Sequence, residues 1–299
     1  MMEQFFRNIH EIGELSLENL VRTWLFHDDI VSFEYIAKNK VIDFYVIVQK
    51  KFYELIEKQI TSYYPSAEVS VEEPIDIHPK GNKLKCYYAY QKNDYFFPLK
   101  TYKNLENDPL NDLTNIFSKL EETDIAAIQI IIRPKKGTKW QKKTEQAGIA
   151  MFSGKKPGGF KIPGLSFIGG FFSMMISGKP DASKSSEGGS GPYGGGGYVR
   201  MLQTREEIAK KIGEQAGHVV YDTTIRLVGS AEKAGHAVEI TNNMALAFNM
   251  FKHAQMNWFK PEEHSIRFIN TRSLISFHRR YSIQILQIGA RSQSNKKSR

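Results

Sequence analysis

The sequence predicts an α+β protein with mostly antiparallel sheets, expected as two ferredoxin-like, split β-α-β sandwich modules. Three observations carry this: strand pairs separated by short polar turns, amphipathic helices that each follow such a pair, and a long glycine-rich stretch that interrupts the alternation. With 299 residues there is room for two cores of ordinary size, and 41% hydrophobic content excludes a disordered chain. The first module is expected over residues 1–80. The second spans 81–150 and 200–260, around a flexible Gly/Lys-rich insertion at 151–199, with a poorly structured basic tail at 261–299.

Phe5, Phe6, Ile9 and Ile12 recur at helical spacing and predict an opening amphipathic helix. The runs IVSFEYIA and VIDFYVIV flank Lys38, Asn39 and Lys40, which predicts a hairpin. Phe52, Leu55, Ile56, Ile60 and Tyr63 then share one helical face. Tyr64-Pro65-Ser66 stops that helix before a strand in 67–71. In the second module, LKCYYAY and YFFPL around Lys92-Asn93-Asp94 are expected as another hairpin. Asp108 is expected to cap a helix that has Pro109 in its first turn and Leu110, Leu113, Phe117 and Leu120 on one face.

The segment IAAIQIII is apolar in nearly every position, as a central strand covered on both faces would be. A basic helix is expected over 137–149. Beyond the insertion, Thr204 and Glu207 form a capping box for a helix through Ala216, and a strand follows over 218–228. Ser230 is expected to cap a long helix carrying Ala234, Val238, Ala245 and Phe248, before a short strand at Asn257-Trp258-Phe259.

The net charge of +9 is concentrated. Residues 133–161 hold nine lysines and arginines against Glu145, residues 260–299 hold nine against Glu262 and Glu263, and the remainder is net acidic. The first block, with Arg133, Lys135, Lys136, Lys139, Trp140, Lys142 and Lys143, has cations to track phosphates and an aromatic ring to stack on bases; Arg279 and Arg280 lie in the second. DNA and an anionic membrane surface are the two partners such blocks fit, and a solvated basic loop is the plain alternative. Between Lys156 and Lys179, Phe160, Leu165, Phe167, Ile168, Phe171 and Phe172 form an apolar stretch too short and too interrupted by glycine to span a bilayer. Contact with a membrane interface or with a protein partner suits it.

Motifs for chemistry are missing from the sequence. There is no phosphate-binding Gly-x-x-x-x-Gly-Lys-Ser/Thr, no His-Glu-x-x-His and no Gly-x-Ser-x-Gly, and Cys86 is the single cysteine, placed in an apolar strand. The pairs Asp28-Asp29 and Glu72-Glu73 read as solvated carboxylates beside turns. The expectation is therefore no catalytic site, no cofactor and no metal. A lone cysteine and an N-terminus without signal-peptide character fit a reducing, cytoplasmic setting, with peripheral placement at the inner face of the cell membrane as the variant the apolar stretch suggests.

The string FEYIAKNKVIDFYVIVQKKFYELIEKQITSYYPSAEVSVEE, with Tyr64, Pro65, Ala67 and Glu68 at its end, resembles the opening module of type IV secretion conjugative DNA-transfer proteins from candidate-phylum bacteria. FPLKTYKNLENDPLNDLTNIFSKLEETDIAAIQIIIRP is similar to the same family further along. The resemblance covers about residues 5–260. It implies a non-enzymatic assembly module beside a coupling-protein-like motor ATPase, with protein subunits of that machine as partners and an oligomeric setting. The Walker motifs of that ATPase have no counterpart here. The chain is thus expected as a stand-alone or split form, or as a fragment or frameshifted reading of a longer gene.

Overall fold

The structure, a computed structural model, describes residues 2–15, 31–73, 75–105, 108–135, 137–152, 195–253, 256–263 and 283–290. They divide into two compact units: Met1–Tyr95 with Leu99–Gly137 and Val219–Arg299, and Phe96–Pro98 with Thr138–His218.

The first unit is built on a single sheet. Its strands are β1 (Val31–Lys38), β2 (Val41–Gln49), β3 (Ala67–Glu72), β4 (Lys83–Gln91), β5 (Ile125–Pro134), β6 (Tyr221–Ala231), β7 (Phe259–Glu263) and β8 (Ile283–Ala290). They lie in the order β3-β8-β2-β1-β5-β6-β4-β7, and every neighbouring pair is antiparallel. The α+β class and the antiparallel character are as the sequence predicts. The separation into two modules is not: β1 of the expected first module pairs along its whole length with β5 of the second. The tail departs from expectation as well, because β8 comes from it and sits between β3 and β2.

Local chemistry explains most elements. The β1–β2 hairpin closes on Asn39 and Lys40, with φ of 52° and 61°, the two left-handed residues a tight hairpin needs to match strand twist. The helices of this unit are α1 (Met2–Leu15), α2 (Tyr53–Tyr63) and α3 (Pro109–Phe117); a further one spans Ala234–Ala247. Asp108 caps α3, its Oδ1 accepting from the Leu110 amide at 2.9 Å with Pro109 at the first turn.

Three local expectations fail. YFFPL is not a strand, and β4 instead pairs with β6 and β7. Ser230 lies inside β6, wholly buried, where its hydroxyl accepts from Asn82 Nδ2 at 3.2 Å; the helix begins after Lys233 without a side-chain cap. Thr204 is not a cap either, since its helix already starts at Gly195.

The helices of this unit pack on one sheet face. Phe5 and Ile9 of α1 and Ile56 and Ile60 of α2 join Val46, Val48, Ile132 and Leu286. Phe117 of α3 joins Ile128, Leu227, Ile240 and Met244. Gly229 of β6 marks the tightest approach: a Cβ there would lie 2.6 Å from the Ala237 carbonyl oxygen and 2.5 Å from Thr241 Oγ1. Part of the opposite face is covered by the connection before β4, whose Ile75 and Ile77 pack on Tyr45, Cys86 and Val228. Asn82 anchors that connection, donating to the Thr123 carbonyl at 2.9 Å as well as to Ser230.

The second unit contains α4 (Lys139–Phe152) and α5 (Gly195–Ala216), which pack together. With these introduced, Ala234–Ala247 is α6. Gly148 of α4 lets the helices approach closely, its Cβ position lying 3.5 Å from the Ala209 carbonyl oxygen and 3.6 Å from Ile212. Among the described residues, no helix is long and apolar enough to cross a membrane.

Candidate functional site

Antiparallel pairing places directly opposed residues on the same face. Following the register across the sheet, Ser70, Gln287, Tyr45, Glu34, Gln129, Arg226, Tyr88 and Glu262 stand in one row that crosses all eight strands. Every member carries a polar group, on the face opposite the helices. At the centre Gln129 is 2% exposed. Its Nε2 donates to Glu34 Oε1 at 2.5 Å and its Oε1 accepts from Arg226 Nη1 at 3.0 Å. Acid on one side and guanidinium on the other allow only that amide orientation. Ser32, wholly buried, adds a second donor to Glu34 Oε1 at 3.1 Å. The Arg226 guanidinium also lies 5.3 Å from the centre of the Tyr88 ring.

Electrostatics follow from this setting. Burial pushes the Glu34 carboxyl above its ordinary value, opposed by the hydrogen bonds from Gln129 and Ser32 and by the charge of Arg226. Burial, helped by Asp43, raises the Tyr45 hydroxyl to about 12. The Cys86 thiol, fully buried, is raised by burial to about 11, which disfavours the reactive thiolate. Arg226 Nε is buried without a hydrogen-bond partner. The row thus holds a carboxyl, an amide and a guanidinium in fixed order, and the acidic and basic groups answer each other.

A different cluster brings Glu121, Asp124 and His236 within 4.8 Å of one another, the right kinds of atoms for a metal ion. Asp124 is 1% exposed, but its Oδ2 already accepts from the Glu121 amide at 2.8 Å and lies 3.4 Å from His236 Nδ1. That carboxylate closes its own turn and pairs with the first turn of α6. It serves as a structural contact.

Open cavities lie near the helices among the described residues. One of about 360 Å³ lies between α3 and α6 and is lined by Asp112, Ile116, His236, Glu239 and Leu246. Another, of about 440 Å³, is an apolar groove on the helix-bearing face lined by Phe5, Phe33, Tyr35, Phe44, Ile60 and Leu110. Phe44, Tyr64 and Leu110 at this groove are 38%, 44% and 40% exposed.

The residues expected from sequence to meet an anionic surface divide sharply. Lys139, Lys142 and Lys143 are exposed on α4, as is Lys135, although Lys135 is held by Asp222 at 2.6 Å. Trp140 is 7% exposed, so it is a packing residue and offers no ring for a base to stack on; its helix turns it inward while the lysines around it face out. Arg133 is half-buried in β5, its Nε buried without a hydrogen-bond partner. Lys136, Arg279, Arg280, Phe160, Leu165, Phe167, Ile168, Phe171 and Phe172 lie outside the described residues. The cross-strand row and the groove escaped the sequence reading, since Glu34, Gln129 and Arg226 become neighbours only once the strand order is known. The one available signal was a polar residue at the centre of an apolar strand, Gln129 in IAAIQIII.

The fold and the site together define an α+β protein with one wide antiparallel sheet, helices on one face and, on the other, a polar row buried at its centre. The chain belongs to the family described as a domain of unknown function, DUF8128, whose model matches residues 1–280. No curated protein and no solved structure matches it.

Proposed function

We propose that this chain is an assembly module, a scaffold that docks other protein subunits, of a type IV secretion-like DNA-transfer apparatus. The observation that carries the docking part is the apolar groove, with Phe44, Tyr64 and Leu110 exposed at its walls. Apolar surface of that kind suits a protein partner. The acid–base groups with shifted behaviour support the same reading, because Glu34, Tyr45 and Cys86 are engaged in the packing of the sheet. The apparatus itself, and a motor ATPase as the partner, come from the resemblance of the FEYIAKNK and FPLKTYKN regions.

The exposed Lys139, Lys142 and Lys143 favour a second reading, direct binding of nucleic acid by the basic segments. Co-purification of the intact chain with a coupling ATPase of the type IV secretion class, beside a gel-shift assay with short DNA across a salt series, separates the two. Association with the ATPase that is lost in Leu110→Asp supports the scaffold. A salt-sensitive DNA shift without ATPase association overturns it in favour of nucleic acid, and neither association nor shift overturns both.

A further inference from the structure

The two rims of the sheet differ. At one, β7 carries Pro261, which has no N–H to offer, and its charges are occupied: Lys260 pairs with Glu262 at 2.9 Å and Glu263 with Lys85. Proline and charge on an edge strand are the usual means of preventing further pairing. At the other rim, β3 reads AEVSVE, without proline, glycine or a basic residue, and all six of its residues pair in register with β8. Half of its backbone N–H and C=O groups therefore point away from β8, and among the described residues no strand meets them.

The side chains of β3 specify what could pair there. Glu68, Ser70 and Glu72 stand on the polar-row face and all are exposed; Val69 and Val71 stand on the helix face, Val71 being 50% exposed. Glu72 accepts from Ser70 Oγ at 3.1 Å, and no cation pairs with Glu68 or Glu72 among the described residues. Next to Glu68 in the sheet is Gly289, over which a Cβ would meet nothing within 4 Å. Open space thus borders the carboxylate on its inner side. A second copy pairing antiparallel about Ser70 would set Glu68 against Glu72 in both directions, and like charges directly opposed disfavour it.

We propose that the β3 rim is a docking strand for an extended peptide of another protein that alternates cationic with apolar residues. Lysine or arginine would lie opposite Glu68 and Glu72, and the apolar residues beside Val69 and Val71. Backbone hydrogen bonds supply the attachment and the carboxylates set sign and register. This rim borders the groove, whose lining includes Ala67 and Gly289, but its attachment is through the β3 backbone, and the inference holds whichever machine the chain serves.

The test uses the full chain and a labelled eight-residue peptide alternating lysine with valine, read by fluorescence anisotropy. The expected result is saturable binding that is absent for the glutamate–valine counterpart. N-methylation of one alternate set of peptide amides abolishes it and methylation of the other set leaves it, because only one set faces β3. Glu68→Lys combined with Glu72→Lys weakens binding about tenfold or more, and the glutamine pair gives an intermediate loss. Unchanged circular dichroism and melting in both variants establish that they fold. Equal loss from both methylated sets, or affinity indifferent to the charge reversal, overturns the proposal. Self-association that survives the charge reversal and blocks the peptide also overturns it, by making a second copy the occupant.

Discussion

On its helix-bearing face the sheet presents Val46, Ile128 and Leu227 to the helices, whereas one residue earlier or later the same three strands carry Tyr45, Gln129 and Arg226 on the opposite face. Neighbouring positions thus face different surroundings. The helix face is filled by non-directional apolar contact, which tolerates exchange of one aliphatic side chain for another of similar volume. The opposite face is tied by directional bonds in a fixed sequence from Ser32 to Glu34, Gln129 and Arg226. A one-residue slip of β5 would break the Gln129 bond to whichever neighbour it moved against, so the row selects a register while the helix face supplies most of the stability.

The largest expected effect breaks the helix face. Leu227→Ala removes a fully buried side chain from the cluster that includes Ile128 and Met244, and should cost about 3 kcal/mol in urea denaturation. Next comes the row: Arg226→Met strands the Gln129 acceptor and leaves Glu34 without its countercharge, a loss of about 2 kcal/mol. Replacing Glu34, Gln129 and Arg226 together by apolar residues should recover most of that loss while broadening strand registers, visible as lost dispersion in amide NMR spectra.

Asp108→Ala sharpens the comparison from the helix side. It removes the cap of α3 without touching the core, and about 1 kcal/mol of destabilisation would show how little of that face depends on local bonds.

The smallest effect is a slope. Because burial raises the Glu34 carboxyl above its ordinary 4.5, the folded protein holds this proton more tightly than the unfolded chain. The resulting stability is complete below about 4.5 and is lost as pH rises through the folded value. Glu34→Gln cannot lose it, so the variant should gain on the wild type as denaturation is repeated at rising pH from that point. A constant difference across the series would remove Glu34 titration from the comparison.

Elements with a local cause were legible in the sequence. Asn39 supplied the hairpin, Tyr64-Pro65 the end of α2, and Asp108-Pro109 the start of α3, each acting within a few residues. Ser230 and Thr204 misled for the same reason, since each looks like a cap in its own window while tertiary pairing or an earlier helix start decides otherwise. The single sheet was not legible because β1–β5 and β3–β8 pairing joins distant segments, and apolar alternation says which face a residue takes without saying which strand lies beside it. The tail is rich in basic residues, and the strand within it, IQILQIGA, lacks a clean two-residue alternation, since Gln284 and Gln287 fall on opposite faces; only its three isoleucines and Leu286 favour a strand. Of the surface expected to meet anions, Lys139, Lys142 and Lys143 stay outside; Trp140 turned inward because a helix period, not charge, sets its direction.

The placement of β8 between β2 and β3 also sets an order of events during synthesis. Ala67 meets Ala290, so β3 does not gain its partner β8 until residue 290 has left the ribosome. Until then β2 also lacks its outer neighbour, and the unfinished sheet carries an apolar flank of Val46 and Val48 beside an unpaired backbone. Newly made chains would depend on chaperones to keep such flanks apart. Any tag that disturbs residues 283–290 would detach β3 and bare the outer edge of β2 at once.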